Sequence, residues 1–200
     1  MISTILPVLD EYKLTNDLLE CISKNEYKPA EIILIDNGSI EPIFELVKIY
    51  SNLNIQYVRL DENIGVNPAW NVGIEKAKYD VISILNNYII IGKYFFRSIK
   101  DTMFNRKNQN IGICVPNTIK EIDMVIRDTP YEKPILQEID NREGWAFTIR
   151  RKIIELGGYI PTELKIFSGD TFFFDTSKKL GFKNYKIMNY NVIAISDYMH

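Results

Sequence analysis

The strongest constraint in this chain is an alternation: short runs of apolar, β-branched residues separated by helix-length segments with one apolar face, repeated through the first half. Strands that alternate with helices are joined by crossovers, which set neighbouring strands parallel and put helices on the faces of the sheet. Ile2 to Leu9 reads as the first strand, and Leu14, Leu18 and Ile22 give the apolar face of a helix ending near Asn25. Glu31 to Asp36 is a buried strand stopped by the turn Asn37-Gly38-Ser39, a short helix follows around Phe44 to Tyr50, and Asn54 to Leu60 makes a third strand. Asn67-Pro68 reads as a helix start, with Asn67 as the cap and Pro68 in the first turn. Val66, Trp70, Ile74 and Ala77 then share one side, so Trp70 reads as core. Asp80 to Leu85 is the fourth strand, running into Asn86-Asn87-Tyr88. The expected fold is α/β and Rossmann-like, with a mostly parallel central sheet flanked by helices.

The second half is less regular, and no linker separates it from the first; the expectation is one domain over residues 1–200, with halves 1–95 and 96–200. Ile111 to Val115 reads as a strand and Asp128 to Pro134 as a surface loop. Ala146 to Ile149 reads as a strand feeding a helix from about Arg151, closed by Gly157-Gly158. Ser168-Gly169-Asp170 opens a helix that stops at Gly181, and two short strands, Tyr185 to Met188 and Asn191 to Ile195, follow.

Charge and composition remove several functions. Twenty-four basic against 26 acidic side chains leave a formal charge of -2, which gives no footprint for nucleic acid or an anionic membrane. An anionic ligand must therefore be held locally. Two cysteines and one histidine, His200, nearly exclude zinc clusters, thiol–imidazole pairs and histidine triads. Met1 to Asp10 has no basic leader and does not read as a signal peptide. The most apolar window, Tyr88 to Phe96, is broken by Gly92 and Lys93 and falls far short of the roughly 20 residues that span a bilayer. No transmembrane segment is expected, and the expected compartment is the cytoplasm. Neither a P-loop nor a Gly-x-Gly-x-x-Gly follows a strand, which argues against P-loop nucleotidases and dinucleotide dehydrogenases.

In an open α/β sheet the ligand crevice lies outside the carboxyl ends of the strands. Those ends here are Pro7-Val8-Leu9-Asp10, Asp36-Asn37-Gly38-Ser39, Asp61 to Gly65, and Asn86-Asn87-Tyr88. Each has a structural explanation alone, since Asp36 to Ser39 is a good turn sequence and Gly65 suits positive φ. Gathered on one edge, they argue for a site.

Taken in order, Ile5-Leu-Pro-Val8, Ile35-Asp-Asn-Gly-Ser39, Asn63-Ile-Gly65 with Ala69-Trp-Asn-Val-Gly73, and Ile84-Leu-Asn-Asn87 resemble the nucleotide-binding half of family 2 glycosyltransferases of the GT-A fold. Gly144-Trp-Ala-Phe-Thr-Ile-Arg-Arg151, Leu156-Gly-Gly-Tyr159, Phe167-Ser-Gly-Asp-Thr171 and Leu180-Gly-Phe182 continue the likeness through the second, acceptor half. The resemblance implies transfer of a sugar from a nucleotide-diphosphate donor, UDP-, GDP- or dTDP-linked, to a hydroxyl of a carbohydrate or glycoconjugate, with inversion. On this mapping Pro7, Val8, Leu9 and Asp36 hold base and ribose, with the Asp36 carboxylate accepting from the base. Asn63 and Gly65 line the same pocket, Asn86 and Asn87 face ribose and diphosphate, and Asp170 matches the general base. An alcohol is too weak an acid to attack unaided, so one carboxylate within reach of its proton is the minimum equipment. An acid in the first turn of a helix is also stabilised by the helix dipole, a structural reason for Asp170 that is compatible with the chemical one. Trp145, beside the acceptor entrance, offers an aromatic face for a sugar ring.

One departure from the family pattern bears on cofactors. Family members carry Asp-x-Asp, or at least a final Asp, after the fourth strand, where it holds Mg²⁺ or Mn²⁺. This chain has Asn86-Asn87-Tyr88, and carboxamides and a phenol are poor ligands for hard cations. Three accounts stay open. The diphosphate is neutralised by Lys93, Arg150, Arg151 or backbone N–H groups; a metal binds with help from His200, the late histidine this fold often supplies; or the chain is a non-catalytic nucleotide-sugar-binding module. A sugar-phosphate nucleotidyltransferase is the remaining alternative, and would carry a Gly-rich basic loop where this chain has Leu9-Asp-Glu-Tyr12.

Overall fold

The computed structural model describes residues 1–119, 130–140 and 144–195. The first half builds β1 (Ile2–Val8), α1 (Tyr12–Ser23), β2 (Glu31–Asp36), α2 (Glu45–Ile49), β3 (Ile55–Arg59), α3 (Val66–Lys76) and β4 (Val81–Leu85). β2 pairs with β1 and β3, and β1 with β4, all in parallel. Every residue of β1, β2 and β4 is buried, as parallel strands covered on both faces should be. Alternate side chains of β1 feed two core layers. Ile2, Leu6 and Val8 join Leu18, Leu19 and Ile22 of α1, while Ile5 joins Trp70 and Ile74 of α3.

The second half adds β5 (Ile89–Ile91), α4 (Phe95–Met103), a 3-10 turn at Arg106–Asn108, β6 (Ile111–Ile119), β7 (Leu136–Glu138), β8 (Ala146–Arg150), α5 (Arg151–Gly157), α6 (Gly169–Lys179) and β9 (Lys183–Ala194). One nine-stranded sheet results, in the order β3-β2-β1-β4-β8-β6-β9-β5, with β7 also on β9. The antiparallel pairings collect here: β8 with both β4 and β6, and β5 and β7 with β9. β8 turns its start toward the end of β4, with Leu85 opposite Ala146.

Three local expectations change. Asn67 is not the cap of α3: the helix starts at Val66 after Gly65, whose φ is 94°, so Asn67 falls inside the first turn and its buried carboxamide is used elsewhere. The two expected last strands are one, β9, because its partner β6 continues past an irregularity that jumps from Pro116↔Ile187 to Asn117↔Asn191. β5 and β7 are each three residues long, too short to show a period. Part of the expected loop at 128–134 lies outside the described residues, and 130–134 carries no regular structure. No helix among the described residues is long and apolar enough to cross a membrane.

Arg150 and Arg151 have structural employment. Arg150 donates to the carbonyls of Ile111 (2.6 Å), Met103 (2.8 Å) and Asn108 (3.1 Å), and Arg151 donates to those of Ala77 and Tyr79. Arg150→Met should cost about 3 kcal/mol, because bonds to charged groups contribute about 1.5–3 kcal/mol and the carbonyls lose their donor. Urea denaturation checks this.

Candidate active site at the strand ends

A cleft of about 540 Å³ opens where the parallel strands end, within the roughly 300–1,000 Å³ usual for small-molecule sites. Pro7, Val8 and Leu9 enter it from β1, and Asn86, Asn87 and Tyr88 from β4. Asn63 and Gly65 come from the loop before α3, and Trp70 from α3 itself. Gly144 and Trp145 precede β8, and the segment Ile166 to Asp170 leads into α6. The cleft therefore gathers Pro7, Val8, Leu9, Asn63, Gly65, Asn86, Asn87, Trp145 and Asp170, and leaves out Lys93, Arg150 and Arg151. Asp36 lies behind the wall, and His200 falls outside the described residues.

Asp36 is fully buried at the end of β2. Its carboxylate accepts from the Tyr57 hydroxyl, from Arg59 Nη1 at 2.7 Å and from the Ser39 N–H at 2.9 Å. Burial alone would raise this carboxyl, but the bonds from Tyr57, Ser39 and Arg59 outweigh it and hold the group below the ordinary carboxylate range. The next residue, Asn37, is the one that lines the cleft. Its Nδ2 donates to Asn63 Oδ1 (3.0 Å) and its Oδ1 accepts from the Ile64 N–H (3.1 Å), so one carboxamide ties the end of β2 to the 63–65 loop. Of the Asp36 to Ser39 turn, Asn37 lines the cleft and Asp36 does not.

Asp170 sits in the first turn of α6, half-buried, with Oδ1 accepting from the Thr171 N–H at 2.8 Å. Asn67 sets its position from the other half of the chain. Asn67 Nδ2 donates to the carbonyls of Leu164 (2.8 Å) and Phe167 (3.0 Å), and its N–H to that of Lys165 (3.1 Å). α6 begins against the same side chain, since a Cβ on Gly169 would stand 2.1 Å from Asn67 Oδ1. Across the cleft, a Cβ on Gly144 would stand 3.2 Å from the Asp170 carboxylate, so Trp145 follows directly beside it. Trp145 is anchored by Nε1 donating to Thr118 Oγ1 at 3.0 Å. Ile166 and Phe167, 61% and 78% exposed, form an apolar lip that periodicity had no means to reveal.

Three non-glycine residues among those described have positive φ: Asp10, Glu11 and Ser168. Glu11 and Ser168 line the cleft and Asp10 adjoins it, the clustering of backbone strain usual at functional sites. Asp10 is held there by its N–H on Ser39 Oγ and its Oδ1 on the Ile40 N–H, both at 2.8 Å.

For a divalent cation the donor set fits poorly. The cleft-lining acids are Glu11 and Asp170, on different elements, and no group of three or more His, Cys, Asp or Glu converges among the described residues. At the end of β4 stand two carboxamides and a phenol, whereas Mg²⁺ and Mn²⁺ favour carboxylate oxygens.

Residues 3–91 match the family model described as Glycosyl transferase family 2. In solved structures the chain is similar to TarS of S. aureus, with a TM-score of 0.77 at 18% identity over 98% of this chain and 60% of that one. The fold is that of GT-A glycosyltransferases, and the family 2 likeness covers residues 3–91. A second structure of that fold, the mannosyltransferase PcManGT from Pyrobaculum calidifontis in complex with GDP-Man and Mn²⁺, gives a TM-score of 0.74 at 15% identity over 99% of this chain and 58% of that one. Among curated relatives, poly-beta-1,6-N-acetyl-D-glucosamine synthase of Staphylococcus aureus is 34% identical over 91 residues, 45% of this chain. The match spans 22% of that relative's length.

Two substitutions test this architecture. Asp36→Asn should cost about 2 kcal/mol near neutral pH through a lost charged hydrogen bond. Because the Asp36 carboxyl is depressed in the fold, its stabilisation is present above about pH 4 and lost as pH falls through the depressed value. Denaturation across pH should therefore show the variant losing less stability in acid than the parent. Asn67→Ala, removing two buried donor contacts, should also cost about 2 kcal/mol, which urea denaturation will show.

Proposed function

We propose that the cleft binds a nucleotide-diphosphate sugar and transfers its sugar, with inversion, to a hydroxyl of a carbohydrate or glycoconjugate acceptor, with Asp170 as general base. The observation that carries this reading is the convergence of a half-buried carboxylate, Asp170, with the carboxamide-rich strand ends in one cleft of about 540 Å³. The relatives support it by what they are: a polysaccharide synthase, TarS with UDP and with UDP-GlcNAc, and a mannosyltransferase with GDP-Man and Mn²⁺. Residues 1–95 then hold the donor, with Pro7 to Leu9, Asn63 and Gly65 around base and ribose and Asn86 and Asn87 toward ribose and diphosphate. Asp36 supports that pocket from behind through Ser39 and Arg59. Residues 96–200 supply the acceptor side, with Trp145 as a stacking face. Cys21 and Cys114 are free thiols, which suits a reducing compartment such as the cytoplasm.

In the reaction, the acceptor hydroxyl gives its proton to the Asp170 carboxylate as its oxygen bonds to the anomeric carbon. The bond from that carbon to the diphosphate oxygen breaks on the opposite face, and the nucleoside diphosphate leaves with the electron pair. Asp170 needs only to reach the acceptor proton in the transition state, a task suited to a carboxylate fixed by helix and loop.

A thermal-shift panel of UDP-, GDP- and dTDP-sugars, followed by assays of transfer and donor hydrolysis, tests this. One nucleotide class should raise the melting temperature, and Asp170→Asn should lower transfer by about 10²–10⁴-fold while leaving that shift in place. Stabilisation by none of them contradicts the reading. Binding without turnover, the same in Asp170→Asn, supports a non-catalytic nucleotide-sugar-binding module instead.

A further inference from the structure

Resting on the nucleotide-sugar reading, we infer that the cleft takes the donor's diphosphate through neutral hydrogen-bond donors led by the Tyr88 hydroxyl, without a divalent cation. The first ground is the charge of the wall. Among the described residues no lysine or arginine lines the cleft. Arg150 and Arg151 are bonded to backbone carbonyls elsewhere, and Lys93 lies over the Tyr94 ring, outside the lining. Among the described residues no cation is placed to meet the anion, and the poor fit of their oxygen donors to a metal leaves neutral groups.

The second ground is the direction of one hydrogen bond. Asn86 Nδ2 donates to the Tyr88 hydroxyl oxygen at 2.7 Å. An amide NH₂ only donates, so Tyr88 keeps its own O–H hydrogen for another acceptor. The residue is fixed on both sides of that group: its carbonyl accepts from the Ile195 N–H at 2.9 Å, and the Asn86 N–H donates to the Trp145 carbonyl at 2.9 Å. Burial pushes the phenol up from its ordinary value, more than the Asn86 bond lowers it, so at neutral pH the proton is present to be donated. A bond from such a donor to a phosphate oxygen is charge-assisted and stronger than a neutral pair. Asn86 is the positioning residue: it occupies one lone pair of the phenol and sets where the hydrogen points.

The experiment is calorimetric titration of the full chain with three probe pairs, UDP and uridine, GDP and guanosine, dTDP and thymidine, in EDTA and in excess Mn²⁺. The base that fits makes its nucleoside the reference for fold and base pocket. The parent should bind the diphosphate equally in EDTA and Mn²⁺. Tyr88→Phe, which keeps the ring, should weaken the diphosphate about tenfold and leave the nucleoside unchanged. Tyr88→Asp should bind the diphosphate poorly in EDTA and recover in Mn²⁺, since it supplies a carboxylate beside the phosphates. Parent binding that vanishes in EDTA overturns the inference while leaving the nucleotide-sugar reading intact, and so does a Tyr88→Phe affinity equal to the parent's. If no probe binds under either condition, the nucleotide-sugar reading itself falls, and the inference with it.

Discussion

The antiparallel pairing of β8 with β4 is the constraint on which the site depends. Strands β1, β2 and β4 all end on one edge, as crossover connections require, and a parallel β8 would begin on the opposite edge. Running the other way, β8 brings its first residues to the ends of the parallel strands, so Leu85 faces Ala146 and the Asn86 N–H reaches the Trp145 carbonyl. Gly144 and Trp145 thereby border a cleft whose other walls come from the first half of the chain and from the 166–170 segment. The second closure is made by Asn67, whose carboxamide grips the carbonyls of Leu164 and Phe167 and so fixes the approach to Asp170. A backbone ladder and one side chain therefore bring the two halves of the chain together at the cleft.

Within that frame the site is organised by carboxamides rather than by charges. Asn37 ties a strand end to the 63–65 loop, Asn87 Nδ2 ties β4 to α1 through Thr15 Oγ1 at 3.1 Å, and Asn86 orients Tyr88. Neutral groups cost far less than ions to hold partly out of water, so a small domain can keep several at the cleft without compensating pairs. The one carboxylate of the first half that is fully withdrawn from water and close to the site, Asp36, is consumed by Tyr57, Arg59 and Ser39. It works as a structural anchor.

Much of the fold was legible because parallel strands leave a strong signature. Runs such as Ile32-Ile-Leu-Ile35 and Val81-Ile-Ser-Ile-Leu85 are buried on both faces, and the helices between them show a one-sided apolar period. The strand-end rule then located the cleft, and the first-turn position of Asp170 followed from Ser168-Gly169. What escaped were contacts between distant residues. That Asn67 reaches across 97 and 100 positions to two carbonyls, rather than capping its own helix, is decided by tertiary packing. That Asn37 lines the cleft while Asp36 pairs with Arg59 behind it is likewise a matter of tertiary packing. Arg150 looked available for an anion because its three carbonyl partners lie far away in sequence.

The central claim, that the strand-end cleft is where a nucleotide binds, is tested most directly by hydrogen–deuterium exchange with and without the nucleoside diphosphate that stabilises the chain. Protection is expected at the 37–39 turn, the 63–67 segment and residues 86–88. The described residues also hold a second cavity of about 490 Å³, bounded by Lys100, Asn105, Asn108 and Lys133. Protection confined to that cavity, with the strand ends unchanged, would contradict the account.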